Sequence, residues 1–546
     1  MALAPRFADI FTATLSRESC ALLQVDVSAR YGSLEAPQSW WRWVVLSINE
    51  HVSRLATILA GKYGHFDLVA VEFSILALGF ALLVGLLDFG QIVGVSCLPQ
   101  SGKIAIRASQ AVFVASGFLV SVTATAILTV SIPLGSALGY GAASTGFMVS
   151  SVQVGGLVAN LTLQYILPEK VQTGADFAAT RRYVSLSLFL SALSLLGFVL
   201  AVCSPLRDSP RLLWNSLLAL RFLSGYFGST AQLVASWLAL ELTPKNEVLN
   251  LQAASQAARN LGLFFGVTMS SISLIVFQQK LGAKVEELGP WLCAASPIMF
   301  QTGAVLLVWL LMVLVVPRNR PSGHDGEMAI ESSSAETASN SLDGMEVTQR
   351  RQLILLAVAY SFERSFTITA IESGTSLISQ SQYGITIVTT GWIFGLISIG
   401  AFCLNAVVAW CSASDVNGRA SFMVAGTFLS VFMSFGIFSW WPWWVIFVTD
   451  TVMFTFCNTA NGIADGLGTL ATSNDSVYTK GRFMQWKMMA MQLGRVVGAP
   501  MARGIIDSLG RNAYGSLQLL VTLCGFLGTY KMQRIVRDRC PHAPSK

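Results

Sequence analysis

Twelve apolar runs, each about as long as a lipid bilayer is thick, follow one another between residues 111 and 531. A span requires roughly 17–25 mostly apolar residues. The runs fall at 111–135, 143–166, 183–204, 212–238, 251–277, 294–316, 353–377, 386–410, 420–439, 442–463, 486–506 and 513–531. A thirteenth, at 68–96, precedes them and carries Glu72 and Asp88. Only 12% of residues are charged and 53% are hydrophobic, whereas soluble domains carry about 25% charged residues. Lipid must therefore be the solvent for most of the chain, and the lipid bilayer is its first partner. The net charge of +6 comes without a dense basic tract, so no nucleic acid partner is expected.

The runs divide into six and six. Between the sixth and seventh lies GEMAIESSSAETASNSLDGMEV (Gly326 to Val347), rich in Ser and Glu, too poor in large apolar groups to fold alone. The expected organisation is an N-terminal region (1–66), an accessory hydrophobic helix with its connector (67–110), a six-helix bundle (111–316), a linker (317–351), a second six-helix bundle (352–533) and a basic tail (534–546). Within 1–66, Trp40, Trp41, Trp43, Val44, Ile48, Val52, Leu55 and Leu59 recur at helical spacing. They predict an amphipathic helix, lying either at the membrane interface or against the membrane domain. Lysines and arginines in loops on the linker side outnumber those on the other side by about 19 to about 5, a bias that places linker and C-terminus in the cytoplasm. The Trp-rich cluster around Pro442 then anchors at the far interface. Glu18 with Leu22-Leu23 fits a sorting signal only if the N-terminus is cytosolic. A glycan on the Asn474-Asp475-Ser476 sequon would reverse the topology.

The two halves repeat one another. The first core helix holds TATAI at Thr123 to Ile127 and the seventh holds TITAI at Thr367 to Ile371. The second begins Thr145-Gly146 and the eighth Thr390-Gly391, followed at equal separation by Asn160 and Asn405. The fifth carries Gln256-x-x-Arg259-x-x-Gly262 and the eleventh Gln492-x-x-Arg495-x-x-Gly498. Three matches in register predict an all-α membrane protein of two similar bundles facing each other across a cavity, rocking about a site near the midplane.

Ionisable groups inside a bilayer cost at least ~2.5–3.5 kcal/mol on insertion scales and so face a cavity or a partner. Arg221, Arg259, Glu363, Arg364, Glu372, Asp450 and Arg495 all lie more than ~10 Å deep at 1.5 Å per residue. A guanidinium fork matches phosphate or carboxylate oxygens. One reading is an anion site in which Arg259 and Arg495 approach from opposite halves, with Arg364, Gln256 and Gln492 beside them and Glu363, Glu372 or Asp450 carrying a coupling proton. The other is that the charges form salt bridges between bundles. Gln252, Gln256, Gln492 and Asn405 serve equally well as ligand contacts or as interhelical hydrogen-bond partners.

Catalysis finds little footing. There is no GxSxG, HExxH or Walker A motif, and Ser101-Gly102-Lys103 lacks the upstream glycine. Nine cysteines are scattered without a CxxC pair, and the four histidines lie outside the apolar runs, arguing against a zinc site or disulfide framework. Neither enzymatic activity nor a cofactor is expected.

RFLSGYFGS (Arg221 to Ser229), Leu242-Thr243-Pro244 and QAARNLGLFFG resemble the fourth and fifth helices of the major facilitator superfamily. The family's acidic motif between helices two and three is degraded, with only Asn160 and Arg181-Arg182 as remnants. FERSFTITAIE and GRFMQWKMMAMQLGRVVGAP resemble the lysosomal ceroid-lipofuscinosis facilitator and the vacuolar phosphate transporters that carry an SPX domain, although no lysine-rich SPX helices precede them. The resemblance covers about 110 to 531. It implies the major facilitator fold, a monomeric proton-coupled or facilitative carrier of a small anion such as phosphate or chloride, an endolysosomal or vacuolar membrane, and Arg221, Glu363 and Arg495 at the site. Competing readings are an anion channel on a carrier fold and a non-transporting sensor or scaffold.

Overall fold

A computed structural model describes residues 65–92, 102–168, 171, 176–243, 248–281, 289–316, 346–411, 416–472 and 480–538. The N-terminal amphipathic helix, the dileucine, most of the linker, the sequon and the end of the tail lie outside the described residues, as do the side chains of Glu72, Gln252, Gln256 and Asn405. The chain divides into two compact units, Met1–Pro99 and Gln100–Lys546. In the first, α1 spans His65–Ile92, with its most apolar part at Phe73–Asp88.

The second unit holds twelve traverses. The first is broken in two, α2 (Gly102–Thr125) and α3 (Ser131–Ala137). The cause is local: β-branched residues crowd Thr123 to Ile132, and Pro133 has no N–H to return to the Thr129 carbonyl. The chain crosses the break as a turn in which Ala126, Ile127, Leu128 and Val130 are fully buried. There follow α4 (Ala142–Ile166), α5 (Phe177–Cys203), α6 (Pro210–Leu242), α7 (Val248–Leu281) and α8 (Gly289–Val315). The second half comprises α9 (Val347–Ser381), α10 (Ile387–Cys411), α11 (Val416–Met433, continued by a 3-10 turn to Ile437), α12 (Val445–Ala471), α13 (Lys480–Leu509) and α14 (Arg511–Arg537). Gly510, at φ 84°, makes the single-residue corner between the last two, a left-handed conformation that glycine adopts without steric cost. Among the described residues there is no strand.

By length and apolar content alone, seven of the described helices qualify as spans. Those that fall short, such as α6, α12 and α13, carry residues that make them less apolar, among them Arg221, Asp450, Asp465, Arg495 and Arg503. These helices bury their polar groups against protein, as polytopic bundles allow. Four Trp residues, 440, 441, 443 and 444, stand exposed at the start of α12, where indole rings suit the headgroup level.

The repeat is structural. In the first half α4 packs on α13 of the second, and α7 packs on α10, the equivalent exchange. Both Thr-Gly pairs sit at these seams. A Cβ on Gly146 would fall 2.7 Å from the Pro500 Cα of α13, and one on Gly391 would meet Ser271 and the Val267 carbonyl of α7. The ends of the helices nearest the 317–351 linker are here termed the linker side and the opposite ends the far side.

Two basic residues assigned to the loops are buried helix-end caps instead. Arg181 donates from Nε to the Val316 carbonyl at 2.9 Å and from Nη2 to that of Val313 at 3.2 Å, satisfying the open C-terminus of α8. Arg511 donates to the Ile437 carbonyl at 2.5 Å. Arg181 thus closes the end of α8 from the start of α5.

Candidate functional site

Where the bundles face each other, a small hollow is lined by Val120 and Ser121 of α2, Gln153 of α4, Gln232 of α6, Arg259, Asn260 and Leu263 of α7, Arg364 of α9, and Met488, Met491, Gln492 and Arg495 of α13. The two arginines of the repeated Gln-x-x-Arg-x-x-Gly pattern therefore reach one cavity from opposite halves. The pattern itself explains their placement. Gly262 and Gly498, three residues on, let α7 and α13 close onto the carbonyls of Phe118 and Phe366 in the first helix of their own bundle. That close approach brings each arginine-bearing helix against its neighbour beside the cavity.

Each cation has a distinct setting. The Arg259 stem runs past Gly117, where a Cβ would come within 3.4 Å of its Cγ, and both terminal nitrogens lie 4.0 Å from the Met488 sulfur. Arg364 donates from Nη2 to the Asn458 side-chain oxygen of α12. Its Nε and Nη1 have no protein acceptor. Arg495 lies where Ser150 of α4 donates to its main-chain carbonyl at 3.3 Å. Arg259 meets Arg495 and Arg364 as like charges, and Arg364 meets Arg495. Opposite charges act on them too: Asp465 on Arg259 and Arg364, Glu372 on Arg495 and Arg364, and Glu363 on Arg364. None of these acids lines the hollow, and among the described residues no acidic side chain does. Asp465 is ion-paired with Lys487 and accepts from the Asn461 amide at 2.9 Å.

Arg259, Arg364, Arg495 and Gln492 thus come together, while Arg221, Glu363, Glu372 and Asp450 do not line the hollow. The Gln256 side chain lies outside the described residues. Arg221 is fully buried within the first bundle, all three guanidinium nitrogens without a protein acceptor. Glu363 turns toward α14, where Gly525 leaves room for its carboxylate, and accepts from Thr367 at 3.0 Å. Asp450 is fully buried in α12, and Glu372 is buried two turns beyond Arg364. Sequence reasoning missed Gln153, Gln232, Asn260 and Asn458, polar residues outside the repeated patterns. It also missed Arg503, which stands only three residues from the expected end of its run at 506 and so did not count as deep, whereas α13 continues to Leu509.

Such a wall, cationic and rich in amides, can hold an anion by several charge-assisted hydrogen bonds at once. Residues 113–499 match the sequence pattern of the Major Facilitator Superfamily. No curated protein sequence matches the chain. Among solved structures, the chain is similar to a partially occluded inward-open conformation of the xylose transporter XylE from E. coli (12% identity, covering 78% of this chain and 99% of that one, TM-score 0.56). A D-xylose–proton symporter aligns at 13% identity, covering 77% and 97%, with a TM-score of 0.53. The inward-open form of the E. coli XylE transporter aligns at 14% identity, covering 81% and 98%, with a TM-score of 0.54.

Proposed function

The chain belongs to the major facilitator superfamily, and from that premise we propose that its central cavity binds a small anion, such as phosphate. The protein is a multi-pass integral membrane protein and a secondary transporter working by alternating access, not an enzyme. One observation carries the anion reading: three guanidinium groups meet at one hollow whose described wall holds no carboxylate. Like charges held together at low dielectric repel strongly, and an anionic occupant relieves that repulsion. A neutral solute leaves it in place.

Of the three acids predicted to carry a proton, Glu372 is the one coupled to Arg495, whereas Glu363 is coupled to Arg364. Protonated, it leaves Arg495 to the anion; ionised, it competes for the same guanidinium. Glu372→Gln is therefore expected to retain uptake and lose its dependence on a pH gradient. A variant still driven by the gradient would remove Glu372 from coupling. The resemblance to lysosomal and vacuolar carriers supports an endolysosomal or vacuolar membrane, to be checked by co-fractionation with acidic organelles.

The deciding measurement is uptake by proteoliposomes of labelled phosphate, sulfate, chloride and xylose, with and without a pH gradient. Saturable anion uptake is expected. Xylose uptake with no anion uptake would overturn the reading, and bilayer currents far above carrier turnover would favour a channel.

A further inference from the structure

Outside the cavity, the most fully bonded buried charge on the seam between the halves is Arg503, two turns from the far end of α13. Its side chain is completely buried. Nη1 donates to the Ser131 hydroxyl at 2.9 Å and to the Thr145 hydroxyl at 2.8 Å. Nη2 donates to the Leu128 carbonyl at 2.9 Å, and Nε to the Ser373 carbonyl at 3.4 Å. The first three acceptors belong to the first half and the last to the second. Around it Gln380 of α9 donates to the Thr129 carbonyl at 3.1 Å. Ile132 and Ala142 pack onto the core of the second half, and Gly146 admits α13 at Pro500.

We propose that Arg503 is the gating residue of the far side: its guanidinium fork latches the two halves when that side is closed, and letting go is a step of the transport cycle. Three features carry this beyond simple packing. First, the break in the first traverse opens two of the carbonyls that tie the halves: a continuous helix would have taken up the main-chain oxygens of Leu128, which accepts from Arg503, and of Thr129, which accepts from Gln380. Second, every acceptor is neutral. A buried carboxylate would hold the cation too firmly for a cycle, whereas hydroxyls and carbonyls can be exchanged for water once the halves part and the site floods. The guanidinium is therefore satisfied in both states, dry and bonded across the seam, or wet and open. Third, the latch breaks the internal symmetry. Arg503 lies eight residues after Arg495; the residue eight after Arg259 is Val267, and on that seam Ser271 donates to the Val388 carbonyl at 3.0 Å. Both seams reach the far side, and of the two one bears the fork. The role holds whichever solute is carried.

Hydrogen–deuterium exchange on the full-length protein in lipid nanodiscs tests it, because exchange of protected amides follows the population of open states. In Arg503→Gln, peptides covering 126–146 and 370–380 are expected to exchange at least about tenfold faster, the loss of charge-assisted bonds setting the scale. Peptides around Asn160 and Gln485 at the linker side should not speed up. A second variant keeps the arginine and removes two acceptors from the other half, Ser131→Ala with Thr145→Val. It should show the same far-side change, and combining it with Arg503→Gln should add little. If Arg503→Gln misfolds, the acceptor variant decides alone. Unchanged far-side exchange in that variant, or an equal rise at both ends, overturns the proposal.

Discussion

Alanine in place of Arg495 is expected to lower kcat/KM for phosphate uptake by about a hundredfold, since truncating one member of a buried charged pair costs roughly 2–5 kcal/mol. Arg259→Ala should do the same, because the two occupy equivalent positions on α7 and α13 and share one cavity wall. Lysine at either site keeps the charge but loses the planar fork, which makes two parallel bonds to one oxyanion. About a tenfold loss, mostly in KM, is expected from that difference. Arg364→Ala has a further consequence: it leaves the Asn458 side-chain oxygen without the guanidinium it accepts from. Arg221→Met serves as the contrast. That guanidinium is wholly buried and does not line the hollow, and replacing an uncompensated buried charge with an apolar side chain is often neutral or stabilising. Phosphate KM unchanged in both Arg259→Ala and Arg495→Ala would sink the anion site while leaving the family and the gate untouched.

The fold was legible in the sequence because it rests on two signals that survive without side-chain detail: the length of apolar runs, and residues repeated in register. The repeat did more than predict two bundles. It pointed to Arg259 and Arg495 as a pair, and to Gly146 and Gly391 as the places where the halves touch. What the sequence hid are facts of direction around a helix. Glu363 and Arg364 are neighbours in the chain, yet about 100° apart on α9, so one faces α14 and the other the cavity. Depth alone made both candidates. Arg181 and Arg511 look like loop charges by position, and only the course of α8 and of the 3-10 turn before Ile437 shows that they cap open carbonyls. Arg503 was invisible for the opposite reason, since its acceptors in the first half, Leu128, Ser131 and Thr145, lie 358 to 375 residues earlier, the first two at the break beside Pro133. No local pattern links the two.

The largest effect on stability is expected inside the first bundle, at Gly225, within the same RFLSGYFGS segment that resembles the family's fourth helix. Gly225 of α6 and Gly155 of α4 bring the two backbones into contact. A Cβ on Gly225 would lie within 2.6 Å of the Val152 Cα, and one on Gly155 within 2.7 Å of the Tyr226 nitrogen. Both obstacles are main-chain atoms, which cannot swing aside as a side-chain tip can. Close helix approach through small residues is the main source of packing between membrane helices, where lipid supplies no hydrophobic drive. Gly225→Ala must therefore push α4 and α6 apart, costing about 3 kcal/mol or more, toward the upper end for overpacking. Gly228, one turn on, provides the internal comparison. A Cβ there meets only Ser191 and Val120, each at an ordinary 3.7 Å. Its substitution by alanine also removes the roughly 1 kcal/mol helix penalty of glycine, so Gly228→Ala should be neutral or slightly stabilising. Thermal unfolding in detergent distinguishes the two: a fall of several degrees for Gly225→Ala and none for Gly228→Ala. Equal behaviour would mean that α4 and α6 do not touch backbone to backbone, and that the motif's glycines have another role.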